Sequence, residues 1–93
     1  MTTEVRRNDD QSRYEITVDG ELAGVADFRD AGDVIVFPHT EIARHLRGRG
    51  LASELVQFAL DDVRGRGRTV VPGCWYVAQF IDDHPHYADL VAS

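Results

Sequence analysis

At Leu51 the hydrophobic period of this chain changes from that of a strand to that of a helix, which limits it to a mixed fold. Upstream, "RYEITVDGELAGVADFR" reads as two alternating segments joined at Asp19-Gly20, the strongest short hairpin signal. Tyr14, Ile16 and Val18 fall on one face of the first segment. Ala23, Val25 and then Ala26 with Phe28 continue the second, and Gly24 hints at a bulge. After the turn "DAGD", "VIVFPHTEI" reads as a third strand whose run from Val34 to Phe37 suits cover on both faces. Pro38 cannot donate to a ladder, so it marks a bulge or an end of regular pairing.

From Leu51 the residues Leu51, Leu55, Phe58, Ala59 and Val63 share one helical face, with Ala52, Val56 and Leu60 beside it. Arg64, Gly65 and Gly67 supply a C-terminal cation and a glycine stop. "TVVP" is then a short strand, and "WYVAQFIDD" and "PHYADLVA" are short helical pieces parted at His84-Pro85. The expected fold is α/β or α+β: antiparallel N-terminal strands, a glycine-rich turn into a central helix, then a strand and short C-terminal helices.

Ninety-three residues suit one domain over 1–93, with residues 1–11 expected to be flexible. Apolar content of 43% with 28% charged describes a globular chain and excludes a disordered one. No apolar run approaches the roughly 20 residues of a membrane span, so no membrane partner is expected. "MTTEVRRNDDQ" has no apolar stretch of the secretory kind, which makes the cytoplasm the expected compartment. Cys74, the one cysteine, excludes an internal disulfide and a cysteine-based zinc cluster. His84 and His86 lack a metal-ligand spacing and are parted by Pro85, so no metal site is expected.

The net charge of −6 argues against a nucleic-acid binder, and a monomer or weak dimer is expected. All ten basic residues are arginine, and Arg44, Arg47 and Arg49 cluster while Arg64, Arg66 and Arg68 form a second knot. A local arginine patch on an acidic chain suits a small anionic ligand. It stands in "HLRGRGLASELV", directly ahead of the helix. Read locally, Gly48 and Gly50 are either a plain turn or a phosphate seat, because the first amides of a helix lack intrahelical partners. Two familiar phosphate motifs are excluded. Ser53 replaces the third glycine of a dinucleotide fingerprint, and the lysine of a Walker motif is missing.

Arg47-Gly48-Arg49-Gly50-Leu51-Ala52 matches the R/Q-x-x-G-x-G/A signature, between a strand and an amphipathic helix. The chain here resembles the GNAT superfamily of acyl-CoA-dependent N-acyltransferases. "HTEI" and "VVPGCWYVAQFIDDHPHYADLV" are similar to the corresponding segments of a short, single-domain GNAT-like family. The resemblance implies acetyl-CoA as cosubstrate, with its pyrophosphate on the amides of Arg47 to Ala52. It implies that Glu41, Ile42 and Ala43 run beside the pantetheine arm, and that Arg44 or Arg49 reaches the phosphates. The acceptor would be a small-molecule or protein amine.

Acyl transfer to an amine needs a deprotonated nucleophile, a polarised carbonyl and a proton for the leaving thiolate. Cys74, His39 and Glu41 are the candidate catalytic residues. Cys74 follows Pro-Gly at a strand end, and is either an acyl-accepting thiol or a small buried residue. His39 and Glu41 are alternative general bases that share a strand face if no bulge falls between them. The tyrosine that serves many GNAT enzymes as general acid has Ile81 near its position here, with Tyr76 and Tyr87 off the spacing. Trp75 and Phe80 read as core or as a wall of the cofactor groove. Alternatives to an enzyme are a noncatalytic acyl-CoA-binding module and a small interaction module without CoA.

Overall fold

The computed structural model describes residues 2–92. Four strands come first: β1 (Thr3–Asn8), β2 (Arg13–Val18), β3 (Glu21–Asp30) and β4 (Val34–Ile42). A 3-10 turn (Arg44–Leu46) leads to α1 (Leu51–Gly65), followed by β5 (Thr69–Val71), α2 (Trp75–Asp83) and a 3-10 stretch (Pro85–Leu90). The sheet runs β1-β2-β3-β4-β5, antiparallel except for the parallel β4–β5 pair that α1 connects. The hairpin turn has Asp19 and Gly20 both at positive φ, 51° and 85°, the conformation that matches the twist of its strands.

Within the segment 1–11, expected to be flexible, Thr3–Asn8 form β1 and pair with β2. Thr3, Arg6, Arg7 and Asn8 all have side-chain partners. Arg7 lays its guanidinium over the Phe28 ring at 4.3 Å and donates to the Tyr14 hydroxyl at 2.9 Å, while Val5 packs against the core. Arg6, Arg13 and Asn8 all donate to Glu15, which is only 4% exposed. Burial works against its ionisation, but these donors outweigh it and hold the Glu15 carboxyl below the usual range.

Two bulges set which residues face inward. Ile16 pairs with Gly24 but Thr17 with Leu22, so Ala23 is the extra residue. The alternation of β3 slips there: Gly24, Ala26 and Phe28 are buried, and Val25, expected in the same apolar row, is only half-buried on the other face. Gly24 is also a point of close approach. A Cβ added to it would collide with Ile42 Cδ1 and lie 2.8 Å from the Glu41 carbonyl oxygen. Gly24→Ala is therefore expected to push β3 off β4 and to cost about 1 to 3 kcal/mol in urea unfolding. A variant as stable as the parent would show that the two strands are not in close contact there.

The second bulge is at Pro38, as expected. Asp27 pairs with His39 and Arg29 with Val36, so Phe28 stands against both Phe37 and Pro38. β5 pairs with β4 only from Val34 to Val36, and beyond Pro38 the β5-side edge of β4 carries no strand among the described residues. Ile35 and Phe37 are buried while Val34 and Val36 are half-buried, so cover on both faces is not what this run receives. The buried residues of both helices join the Ile35–Phe37 side in one core; Val77 of α2 shares an interior gap with Ala26, Phe37, Val56 and Leu60. Phe58, expected in the helix's buried face, is 40% exposed and meets the Tyr14 ring edge-on at 6.1 Å.

Two tyrosines hold the C-terminal half of α1. Tyr14 from β2 donates to Asp62, and Tyr87 from the last 3-10 stretch donates to Asp61 at 2.7 Å. Arg64 adds a bidentate pair to Asp89, both contacts at 3.0 Å. His84 stacks on Phe80 at 4.0 Å and its Nδ1 lies 2.8 Å from the Phe80 carbonyl oxygen, which makes it a packing residue of the C-terminal segment. At the other end of α1, the Thr3 hydroxyl of β1 donates to Glu54 in the first helical turn at 2.9 Å.

Candidate functional site

A groove of about 580 Å³ opens where β4 and β5 part, lined by β4 from His39 to Ile42, the turn around Arg47 and Gly48, the start of α1 and the start of α2. Gly48 and Gly50 have φ of 81° and 76°, and a Cβ on either would meet nothing within 4 Å. The left-handed backbone, not crowding, is what requires glycine at these positions. Gly50 caps α1 with no side-chain hydrogen bond, and the first backbone bond of the helix is from Glu54 N–H to the Gly50 carbonyl at 3.2 Å. The amides of Leu51, Ala52 and Ser53 precede that bond and have no intrahelical acceptor. All three residues line the groove, where the helix dipole adds partial positive charge. This is an anion seat built from backbone.

The strand wall suits an extended ligand. β3 pairing continues as far as Ala43, whose N–H donates to the Ala23 carbonyl at 2.7 Å. On the other edge, residues after Pro38 have no strand partner among the described residues. The Thr40 hydroxyl in the groove wall is buried with no hydrogen-bond partner. Arg47 also lines the groove, and its Nε donates to the Ile42 carbonyl at 3.3 Å, tying the glycine turn to the end of β4.

The family model for GCN5-related N-acetyltransferases matches residues 13–90, which span both the anion seat and the open strand edge. The chain belongs to the GCN5-related N-acetyltransferase family. Protein NATD1 of Bos taurus is 33% identical over 87 residues, covering 87% of this chain and 75% of that protein. The human NATD1 protein is 32% identical over the same shares. Among solved structures, a GCN5-like putative N-acetyltransferase from Staphylococcus aureus aligns with a TM-score of 0.73 at 15% identity, covering 97% of this chain and 88% of that one. A ribosomal-protein-alanine N-acetyltransferase from Brucella melitensis biovar Abortus 2308 aligns with a TM-score of 0.58 at 21% identity, over 87% and 61%. These two show a shared fold.

On this N-acetyltransferase fold the candidate residues separate. His39 and Glu41 both line the groove, with Nε2 and Oε2 3.7 Å apart and side chains 56% and 64% exposed. The bulge precedes His39, so the alternation that puts both on one face survives. Cys74 caps α2 and is buried with the core; it does not line the groove, although the next two residues do. Of the residues that the resemblance assigns to the cofactor, Ile42, Arg47, Gly48, Gly50, Leu51 and Ala52 border the groove. Ala43 and Arg44 border a neighbouring hollow with Leu22 and Val25, and Arg49 lies outside both linings.

The expectation for the two aromatics divides: Phe80 is core, and Trp75 is a groove wall that stands 77% exposed. Tyr76, set aside on spacing, lines the groove too. Sequence counting from Cys74 missed it because the first turn of α2, not its middle, borders the opening. Tyr87 is engaged with Asp61, and burial together with that hydrogen bond pushes its hydroxyl up to about 12. Of the tyrosines, Tyr76 is the one that lines the groove.

Proposed function

We propose that this chain binds acetyl-CoA in the β4–α1 groove and transfers the acetyl group to an amine. One observation carries the reading: an uncapped helix N-terminus with two left-handed glycines opens on the same groove as an unpaired strand edge. The amides of Leu51, Ala52 and Ser53 and the Arg47 guanidinium suit a pyrophosphate. The free β4 edge and the partnerless Thr40 hydroxyl suit the amide groups of a pantetheine arm. Acetyl-CoA supplies a thioester carbon for the amine to attack and a thiolate that must be protonated as it leaves. Glu41 or His39 takes the proton from the incoming amine. Tyr76 is the neighbouring hydroxyl that returns a proton. Cys74 serves as acyl carrier only if the start of α2 moves to expose it.

A second reading, an acyl-CoA-binding module without turnover, draws support from the bare acceptor side: no helix lies between β1 and β4 among the described residues. Backbone amide shifts during titration with acetyl-CoA test the shared step. Localised shifts at Gly48, Gly50, Leu51 and Ala52 are expected, with Arg47→Ala weakening affinity about tenfold, as for one lost charge-assisted contact. No shifts at millimolar acetyl-CoA would remove both readings. Shifts without acetylation of any amine in a screen would favour the module.

A further inference from the structure

Trp75 does not pack like the rest of α2. Val77, Phe80 and Ile81 are buried, whereas Trp75 leaves 77% of its surface in solvent at the rim of the groove. Large aromatics are highly buried on average, so core packing does not account for its presence. Among the described residues its one ring contact is Tyr76, nearly perpendicular at 5.7 Å. Glu41 lines the same groove with a carboxylate 64% exposed, and its Oε2 lies 3.7 Å from His39 Nε2, beyond hydrogen-bond length.

The groove is chemically divided. The start of α1 and Arg47 present N–H groups, which suit an anion. The start of α2 and the end of β4 present two aromatic rings and a carboxylate, which suit a cation. Ring faces attract ammonium groups, and a carboxylate lining the same groove adds to that attraction. We propose that Trp75 and Glu41 form the acceptor subsite and select a primary alkylammonium, of the lysine side-chain or polyamine type. An amine with a carboxylate beside it is disfavoured by Glu41. This assignment rests on the acetyl-transfer reading above.

Trp75 is the only tryptophan in the chain, so its emission reports on this subsite alone. The protein is titrated, without acetyl-CoA and at matched ionic strength, with butylammonium, butanol and butyrate, three probes of similar length and different charge. A saturable emission change with butylammonium only is expected. Glu41→Gln weakens that binding about three- to tenfold, the range of one ion–ring or ion–carboxylate contact at a partly exposed site. Trp75→Leu, which removes an exposed side chain and leaves the core intact, is followed through the amide shifts of Thr40 and Tyr76 and shows a similar loss. Trp75→Phe retains part of the affinity. An equal response to butanol or butyrate, or none to butylammonium, overturns the assignment. If acetyl-CoA still shifts Gly48 to Ala52 in that case, the acetyl-CoA reading stands and only the acceptor class falls. If Trp75 responds to acetyl-CoA and not to butylammonium, it is a wall of the cofactor groove.

Discussion

Phe37→Ala is expected to remove about 3 to 5 kcal/mol of stability in urea or thermal unfolding. A domain of this length has about 5 to 14 kcal/mol in total, so the variant should stand near the edge of folding. Phe37 is 1% exposed, packs on Tyr14 at 6.1 Å, and borders the interior gap shared by Val56, Leu60 and Val77. Its removal opens a void between both helices and the sheet. The same residue sits in the β4 bulge, where the strand leaves β5 and the groove begins. Phe37→Leu, with a smaller change in volume, should cost about 1 kcal/mol and stay folded. Acetyl-CoA binding measured in that variant then reads whether the bulge sets the groove. A loss below about 1 kcal/mol for Phe37→Ala would mean that the core closes over the void and that the bulge is held by something else.

Much of this architecture was legible because its signals are local. Asp19-Gly20 sets a turn through its own φ angles, and the period change at Leu51 coincides with the first residue of α1. "WYVAQFIDD" is α2 to the residue. What was misread depends on contacts distant in sequence. The phase of Val25 is reversed by one extra residue, Ala23, opposite β2, and a bulge is a property of a pair of strands. The polar start of the chain looked loose because its order comes from partners on β2 and β3: Glu15, Tyr14 and Phe28. Phe58 was assigned inward by helical spacing, yet the inner stripe of α1 is already filled by Leu51, Leu55, Val56, Ala59, Leu60 and Val63.

The candidate site divides in the same way. Its glycine turn is a contiguous motif, and its strand wall is the adjacent segment, so both were readable as residues. The start of α2 comes to the groove only through the parallel placement of β5 beside β4, which is why Tyr76 escaped notice. The position of Cys74 after Pro-Gly leaves it open whether the thiol is an acyl acceptor or a small buried group. The chain turns there so that Trp75 and Tyr76 border the opening and the thiol joins the core. Periodicity marks a residue's face within one element, and a groove formed by four elements needs their mutual positions.

The stability of this chain is expected to fall steeply between pH 10 and 12. Burial, and then the hydrogen bond to Asp62, push the Tyr14 hydroxyl up to about 12; burial and Asp61 do the same for Tyr87. In the unfolded chain both titrate near the ordinary tyrosine value of about 10. The folded values are raised, so the contribution is fully present below pH 10 and is lost as pH rises through 12. Each shift of about two units corresponds to roughly 2.7 kcal/mol, and the pair together to at most about 5 kcal/mol, a large share of the total. The sequence makes the experiment clean. It contains no lysine, so no lysine titration overlaps that window. Unfolding free energy measured against pH, beside tyrosinate absorbance of the folded protein, gives both sides of the linkage. Tyr14→Phe should remove about half of the alkaline slope. If Tyr14 and Tyr87 titrate near pH 10 in the folded protein, the two hydrogen bonds that anchor α1 do not hold as described. The consequence would then reach the groove, because α1 carries the amides of Leu51, Ala52 and Ser53 at the end opposite these two anchors.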